Sequence, residues 1–398
     1  MFITSAAEFV WANVNPTNYI GGVSFRPERD IPDLSGKVVF ITGGNTGLGK
    51  ETIRQILKHN PEHVFLAARS EEKAQKAITE LQSTAPDVKI TWIPLDLSST
   101  KSVQDAAEKF KTEADRLDVL VLNAGVMSLP PGETDLGHEI QLGTNHTGHF
   151  LLTRLLLPTL LRTAEDPAAD VRVVSLSSIG HNLAPDFETI LDQQRLKSCN
   201  THARYGASKA ANILFASELA RRYPSITAVS VHPGIIVTDL YGPVGETNPI
   251  VRAGIKGLSL VGTAVEQGAW NQLWAGFGAK KDALVNGAYY MPVGNGKTCN
   301  RYVVGEEMGR RLWEWTEQEL EKGGNEMFME RMFSRRSSQG EADTKQPEGL
   351  ERQTSQDENQ NQPQLRRQRR NSRLQKLKDM WHSEEELDEA GKVYAKLM

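Results

Sequence analysis

"VVFITGGNTGLGKET", residues 38–52, joins an apolar run to a glycine-rich turn and then to helix-forming residues. With Lys37 ahead of it, the apolar run reads as a strand, and the turn opens a helix. Gly43, Gly47 and Gly49 let the backbone turn sharply and approach a phosphate with no Cβ in the way. The helix that follows offers unpaired N–H groups and the positive end of its dipole, with Asn45 and Leu48 in the turn itself. The spacing is T-G-x-x-x-G-x-G. A glycine turn alone is weak evidence; its place between a strand and a helix makes a dinucleotide site the stronger reading.

The same alternation continues outward. Strands are expected at 63–68, 88–95, 117–123, 171–177, 226–232 and 287–293, with helical text between them. "SEEKAQKAITELQ" (70–82) is such a helix, acidic in its first turn. Near-continuous apolar strands alternating with helices predict an α/β fold: a single doubly wound Rossmann-type domain, its seven-stranded parallel sheet flanked by helices. The expected domain spans 36–333, with residues 1–35 as an arm packed on it. Residues 334–373 are polar and predict a disordered linker, and 374–398 regain enough apolar residues for a terminal helix.

Bulk properties narrow the function. A formal net charge of -4 gives no global pull toward nucleic acid. Two cysteines, Cys199 and Cys299, are too few for a disulfide framework. The first residues match neither a secretory signal nor a mitochondrial presequence. The most apolar stretch, "FLLTRLLLPTLL" (150–161), is short and interrupted by Arg154 and Pro158. A soluble, cytoplasmic protein without a transmembrane segment is expected; peripheral membrane association and a homodimer stay open. No metal is expected.

Strand ends supply the remaining polar residues, where open α/β sheets bind ligands. The second strand ends "FLAARS", placing Ala68 and Arg69 where an NAD site would carry an acid. An arginine there can pair with a 2′-phosphate, which favours NADP(H), with Lys50 as an assisting cation. Asp96, beside Leu97, follows the third strand and suits the adenine amino group. Asn123 follows the fourth, with Ala124 and Gly125 allowing close approach to a ribose. In "RYGASKAANILF" (204–215), Tyr205 and Lys209 share one helix face.

Taken in order, "TGGNTGLG", "LDL", "NAG", the serine pair after the fifth strand, "YGASK" and "HPG" resemble the short-chain dehydrogenase/reductase family over about residues 36 to 293. "LGTNHTGHFLLT" and "YGASKAANILFASELARR" are most similar to its retinol dehydrogenase-like and light-induced alcohol dehydrogenase-like branch. The resemblance implies hydride transfer between a nicotinamide and a carbonyl or alcohol. It assigns catalysis to Asn145, Ser178, Tyr205 and Lys209. Ser178, rather than Ser177, would hold the substrate oxygen, and Tyr205 would give or take the proton. Lys209 would stabilise the phenolate and bind the nicotinamide ribose, and Asn145 would hold a relay water. After the sixth strand, Pro233 and Gly234 would turn over the nicotinamide, with Ile235 and Ile236 near its face and Thr238 on the carboxamide. A long insert separates Ser178 from Tyr205, a common feature of that branch. The apolar, glycine-containing stretch after Thr238 predicts a lipophilic small-molecule substrate. The alternative is a catalytically silent NADP-binding regulator acting through its basic tail, "RRSS" (335–338) and "RRQRRNSR" (366–373).

Overall fold

A computed structural model describes residues 22–234, 265–296 and 305–340, the last helix with side chains through Gly323. The chain divides into two compact units, Met1–Glu326 and Met327–Met398. The first unit holds the sheet. Its strands are β1 (Val38–Thr42), β2 (His63–Ala68), β3 (Lys89–Pro94), β4 (Val119–Leu122), β5 (Arg172–Leu176), β6 (Thr227–Val231) and β7 (Tyr289–Tyr290). All six pairings are parallel, in the order β3-β2-β1-β4-β5-β6-β7. The order reverses beside β1, so a crevice opens at the carboxyl ends of β1 and β4.

Both faces of the sheet are covered, which explains why its strands lack polar alternation. On β1, Val39 and Ile41 join one core, and Val38 and Phe40 the other. The first core packs helices α1 (Gly47–Ile56) and α2 (Glu71–Gln82) through Ile53, Ile56, Ala74 and Leu81. The second packs α3 (Thr100–Glu113), α4 (Gly148–Ala164) and α5 (Thr201–Arg222) through Phe110, Phe150, Leu156 and Phe215. Phe25, Ile31 and Leu34 of the N-terminal arm are buried in the first core. α6 (Glu306–Gly340) follows, and its Trp313 enters the second core.

Local signals place the helix starts. Ser70 caps α2 by accepting from the Lys73 N–H at 3.3 Å, and Ser99 caps α3 in the same way from Ser102. Two expectations differ from the structure. β7 is only Tyr289–Tyr290, not 287–293, because Gly287 sits at φ +86° before it and Met291 turns back to pair with Asn295 behind it. Residues 334–340, expected as the start of a linker, continue α6, whose run of Glu, Met and Arg favours a helix. The rest of that linker and residues 374–398 lie outside the described residues.

Candidate active site

Thr42 ends β1 and delivers the chain to the glycine turn. Gly43 and Gly47 hold φ of +67° and +52°, where a side chain is strained. A Cβ on Gly49 would lie 2.3 Å from the Gly43 carbonyl oxygen, so only glycine fits there. The Thr46 side chain does not cap α1, and no acid occupies its first turn. Its leading N–H groups and positive dipole end are therefore left to a ligand, which suits a pyrophosphate. Asn45 flanks the turn half-buried, and Leu48 packs on the first core.

Arg69 projects from the end of β2, exposed and with no hydrogen-bond or ion-pair partner among the described residues. Lys50 does not join it. Its Nζ lies 2.5 Å from Glu80, which also takes Arg54, so the expected assisting cation is already neutralised. Asp96 Oδ1 accepts from both the Ser98 N–H and hydroxyl, at 3.0 and 2.7 Å. Leu97 beside it is buried against Gly148, where a Cβ would strike the Leu97 carbonyl at 2.2 Å. Asn123 Nδ2 donates to the Thr42 carbonyl at 2.8 Å and its Oδ1 accepts from Gln272 at 3.3 Å. Gln272 also donates to Thr52 at 2.6 Å, bracing α1 from the far side of the fold. No motif marks Gln272 in the sequence.

The second half of the site rides on α5 and β5. α5 starts at Asn200, whose Oδ1 accepts from the His202 and Ala203 N–H groups at 3.0 Å. One turn later Tyr205 is buried, with the Lys209 ammonium 5.7 Å from its ring centroid. Lys209 Nζ donates to the Leu176 carbonyl at 2.9 Å, which Asn212 Nδ2 also reaches at 2.9 Å. Burial pushes the Lys209 ammonium down to about 8. It remains mostly cationic at neutral pH.

The two serines after β5 separate cleanly. Ser177 Oγ donates inward to the Lys209 carbonyl at 2.7 Å. Ser178 Oγ accepts the Gly180 N–H at 3.0 Å, which leaves its own proton to be given away. A Cβ on Gly180 would fall 2.9 Å from the Tyr205 ring and 3.3 Å from Ser178 Oγ, so one point faces both hydroxyl-bearing residues.

Asn145 lies in a π turn, Gly143–Thr147, ahead of α4. Such turns concentrate at functional sites. Its Oδ1 accepts from the Val126 N–H at 2.7 Å, and its Nδ2 donates to the Val126 carbonyl and to Ser208 Oγ, both at 2.9 Å. The side chain is thus a brace between the loop after β4 and α5. A Cβ on Gly125 would lie 3.3 Å from Asn145 Oδ1 and 3.5 Å from Lys209 Nζ. The Asn123–Ala124–Gly125 loop therefore joins the glycine turn on one side and the Asn145, Lys209 and Tyr205 group on the other. Gly234, at φ +100°, turns the chain just after Pro233 and β6. Ile235, Ile236 and Thr238 lie outside the described residues.

The insert before α5 forms short helices, Phe187–Leu191 and Gln193–Ser198. Glu188 of the insert binds Arg311 of α6 at 2.8 and 2.9 Å. α6 also braces α4 and α5: Thr316 Oγ1 lies 3.0 Å from His146 Nε2, next to Asn145, and Trp313 stacks at 7° on Phe215.

Comparison with known proteins agrees with this geometry. A family model described as short chain dehydrogenase matches residues 37–185. A short-chain dehydrogenase/reductase of Armillaria gallica is 39% identical over 293 residues, 73% of this chain and 92% of that protein. Retinol dehydrogenase 12 of Mus musculus is 43% identical over 210 residues, covering 52% of this chain and 64% of its own length. The crystal structure of an uncharacterized protein from Mycobacterium Paratuberculosis superposes with a TM-score of 0.56 at 29% identity, over 75% of this chain and 97% of that one. Members of the family act on alcohols and carbonyls with NAD or NADP. Sheet order, glycine turn and relatives agree, and the chain belongs to the short-chain dehydrogenase/reductase family.

Proposed function

We propose that this chain is an NADP(H)-dependent oxidoreductase that reduces a ketone or aldehyde, or oxidises the corresponding alcohol, on a lipophilic small molecule. When bound, the nicotinamide supplies or accepts the hydride. Ser178 donates a hydrogen bond, keeping its own proton, to the substrate oxygen and holds it beside Tyr205. Tyr205 then protonates the developing alkoxide, or takes the proton in oxidation. A phenol titrates near ~10, too high for base work at neutral pH without help. The Lys209 cation, held by the Leu176 carbonyl, lowers the cost of the phenolate. Asn145 keeps the loop after β4 against α5, and Gly125 brings a ribose close to Lys209.

The observation that carries the reading is the convergence of Ser178, Tyr205, Lys209 and Asn145 beside a glycine cradle at one sheet edge. Arg69 supports NADP(H): an unpaired guanidinium ends β2, with Ala68 in place of a carboxylate. Retinol dehydrogenase 12 is named for an apolar alcohol, which supports a lipophilic substrate. The test is Tyr205→Phe in the full chain, assayed with a panel of carbonyls and alcohols and both cofactors. Turnover should fall by about 10²–10⁴-fold while NADPH binding stays intact. Full activity in the variant, or no turnover by the parent with either cofactor, overturns the reading.

A further inference from the structure

His149 occupies the first turn of α4, one turn after Asn145, and is buried at 2% exposure. Its Nδ1 lies 2.9 Å from the Asn145 carbonyl oxygen, and its Nε2 lies 2.9 Å from Thr42 Oγ1. A carbonyl oxygen can only accept, so Nδ1 carries the proton. Burial pushes His149 down to about 4, and the Lys209 charge acts in the same direction, so the ring is neutral at physiological pH. Nε2 is then an acceptor, and the Thr42 hydroxyl must donate to it. The alternative acceptor for that hydroxyl, the Val121 carbonyl, is at 3.5 Å and too distant to compete. Thr42 Oγ1 in turn accepts the Ala124 N–H at 2.9 Å.

Each bond now has one direction. The path runs from the Ala124 N–H through Thr42 and His149 to the Asn145 carbonyl. It continues from Asn145 Nδ2 to Ser208 Oγ, which donates to the Tyr205 carbonyl at 2.8 Å. It joins the cofactor-side loop to the helix of the proton donor through side chains that are all inside the fold.

We propose that His149, as the neutral Nδ1–H tautomer, is a positioning residue: it registers the Asn145 turn, and through it Tyr205, against the cofactor-side end of β1. The inference rests on the catalytic reading above. His149 touches no reacting atom. It orients groups that do, and fixed orientation is worth large factors in rate.

Two substitutions separate positioning from stability. Gln reaches the position of Nε2, so His149→Gln retains an acceptor for the Thr42 hydroxyl and with it the tie to β1. It loses the donor to the Asn145 carbonyl and buries an unpaired amide nitrogen. His149→Leu fills the space without that orphan but removes the tie to Thr42. His149→Gln should therefore be less stable than His149→Leu and yet more active. In the full chain, with kcat expressed per NADPH-binding site, Leu should lower kcat about 10- to 100-fold and Gln no more than about fivefold. The NADPH Kd should move little in either. Activity that follows melting temperature, with Leu above Gln, overturns the proposal. Nitrogen-15 spectra of the histidine-labelled parent, assigned by the signal lost in His149→Gln, give a readout without turnover. They should show protonated Nδ1 and bare Nε2 at neutral pH; the other tautomer or a cationic ring overturns the proposal. Loss of turnover in the parent would sink the catalytic reading while leaving this spectrum to judge the tautomer.

Discussion

Lys209 is held at a cost. Its ordinary value of 10.5 falls to about 8 inside the fold, a gap worth about 3 kcal/mol of opposition to folding while the group is charged. Below pH 8 both folded and unfolded chains hold the proton, and the whole penalty applies. Between 8 and 10.5 the unfolded chain binds more protons, so stability rises with pH and the penalty fades. Lys209→Met should therefore be inactive yet more stable below about pH 8, its advantage shrinking toward pH 10.5; urea midpoints across that range measure it. Arg69 makes the opposite kind of prediction, since nothing in the described fold leans on it. Arg69→Asp should leave the melting temperature unchanged and shift the ratio of kcat/KM from NADP(H) toward NAD(H) by at least about tenfold. An unchanged ratio would make Arg69 an ordinary surface residue. In the sequence, motifs mark where such residues fall: the serine pair after β5, Tyr205 with Lys209, and Asn123 with its small neighbours. Lys50 was misleading for a local reason. Its competitor, Glu80, lies thirty positions away on α2 and meets it only through packing. Gln272 carries no motif, and although Thr42 and His149 fall within quoted stretches, their mutual contact was not legible because it joins elements 107 positions apart.

Among the elements, α6 falls beyond the residues matched by the family model and still packs on α4 and α5. Trp313 lies 4.7 Å from Phe150 of α4 and 5.9 Å from Phe215 of α5, ring centre to ring centre, with the Arg222 guanidinium 4.9 Å above it. Arg154 of α4 pairs with Glu317 at 2.5 Å, and the buried His138 lies 3.3 Å from Glu319. Trp313→Ala should destabilise the fold by about 3–5 kcal/mol, read as a lower urea midpoint. Removing residues after Ser334 should leave turnover intact, whereas removing all of α6 should abolish it together with cooperative unfolding. Nothing local in the sequence marks α6 as a partner of His146, since Thr316 and His146 are 170 positions apart. The insert helices are similar: their caps at Asp186 and Asp192 are local, whereas their tie to Arg311 is not.

At the scale of the whole molecule, the alternation of strands and helices was the clearest signal, because a sheet covered on both faces leaves every strand apolar. The weakest was β7, whose apolar text continues past the point where Gly287 and the Met291–Asn295 pairing confine the ladder. Burial on this scale also sets acid sensitivity. His146 and His232 are pushed down to about 3 and His149 to about 4, all by desolvation. Above 6.5 these rings are neutral in both states, and the fold is not penalised. As pH falls below 6.5 the unfolded chain takes up protons that these rings refuse in the folded chain, and His63 and His181, each pushed down to about 4, act in the same direction, so stability drops with acid. Acid unfolding is therefore expected on the low side of pH 6.5, accompanied by net proton uptake, which urea midpoints and proton release on refolding measure. Stability unchanged between pH 7 and 5 would contradict the neutral assignment of these rings. The C-terminal brace bears on timing as well. Phe150 and Phe215 are made long before Trp313, so during synthesis α4 and α5 wait with an apolar face uncovered. A nascent chain cut short before residue 313 carries every signature residue and still lacks the wedge that packs α4 and α5, so the packed site is completed late in translation.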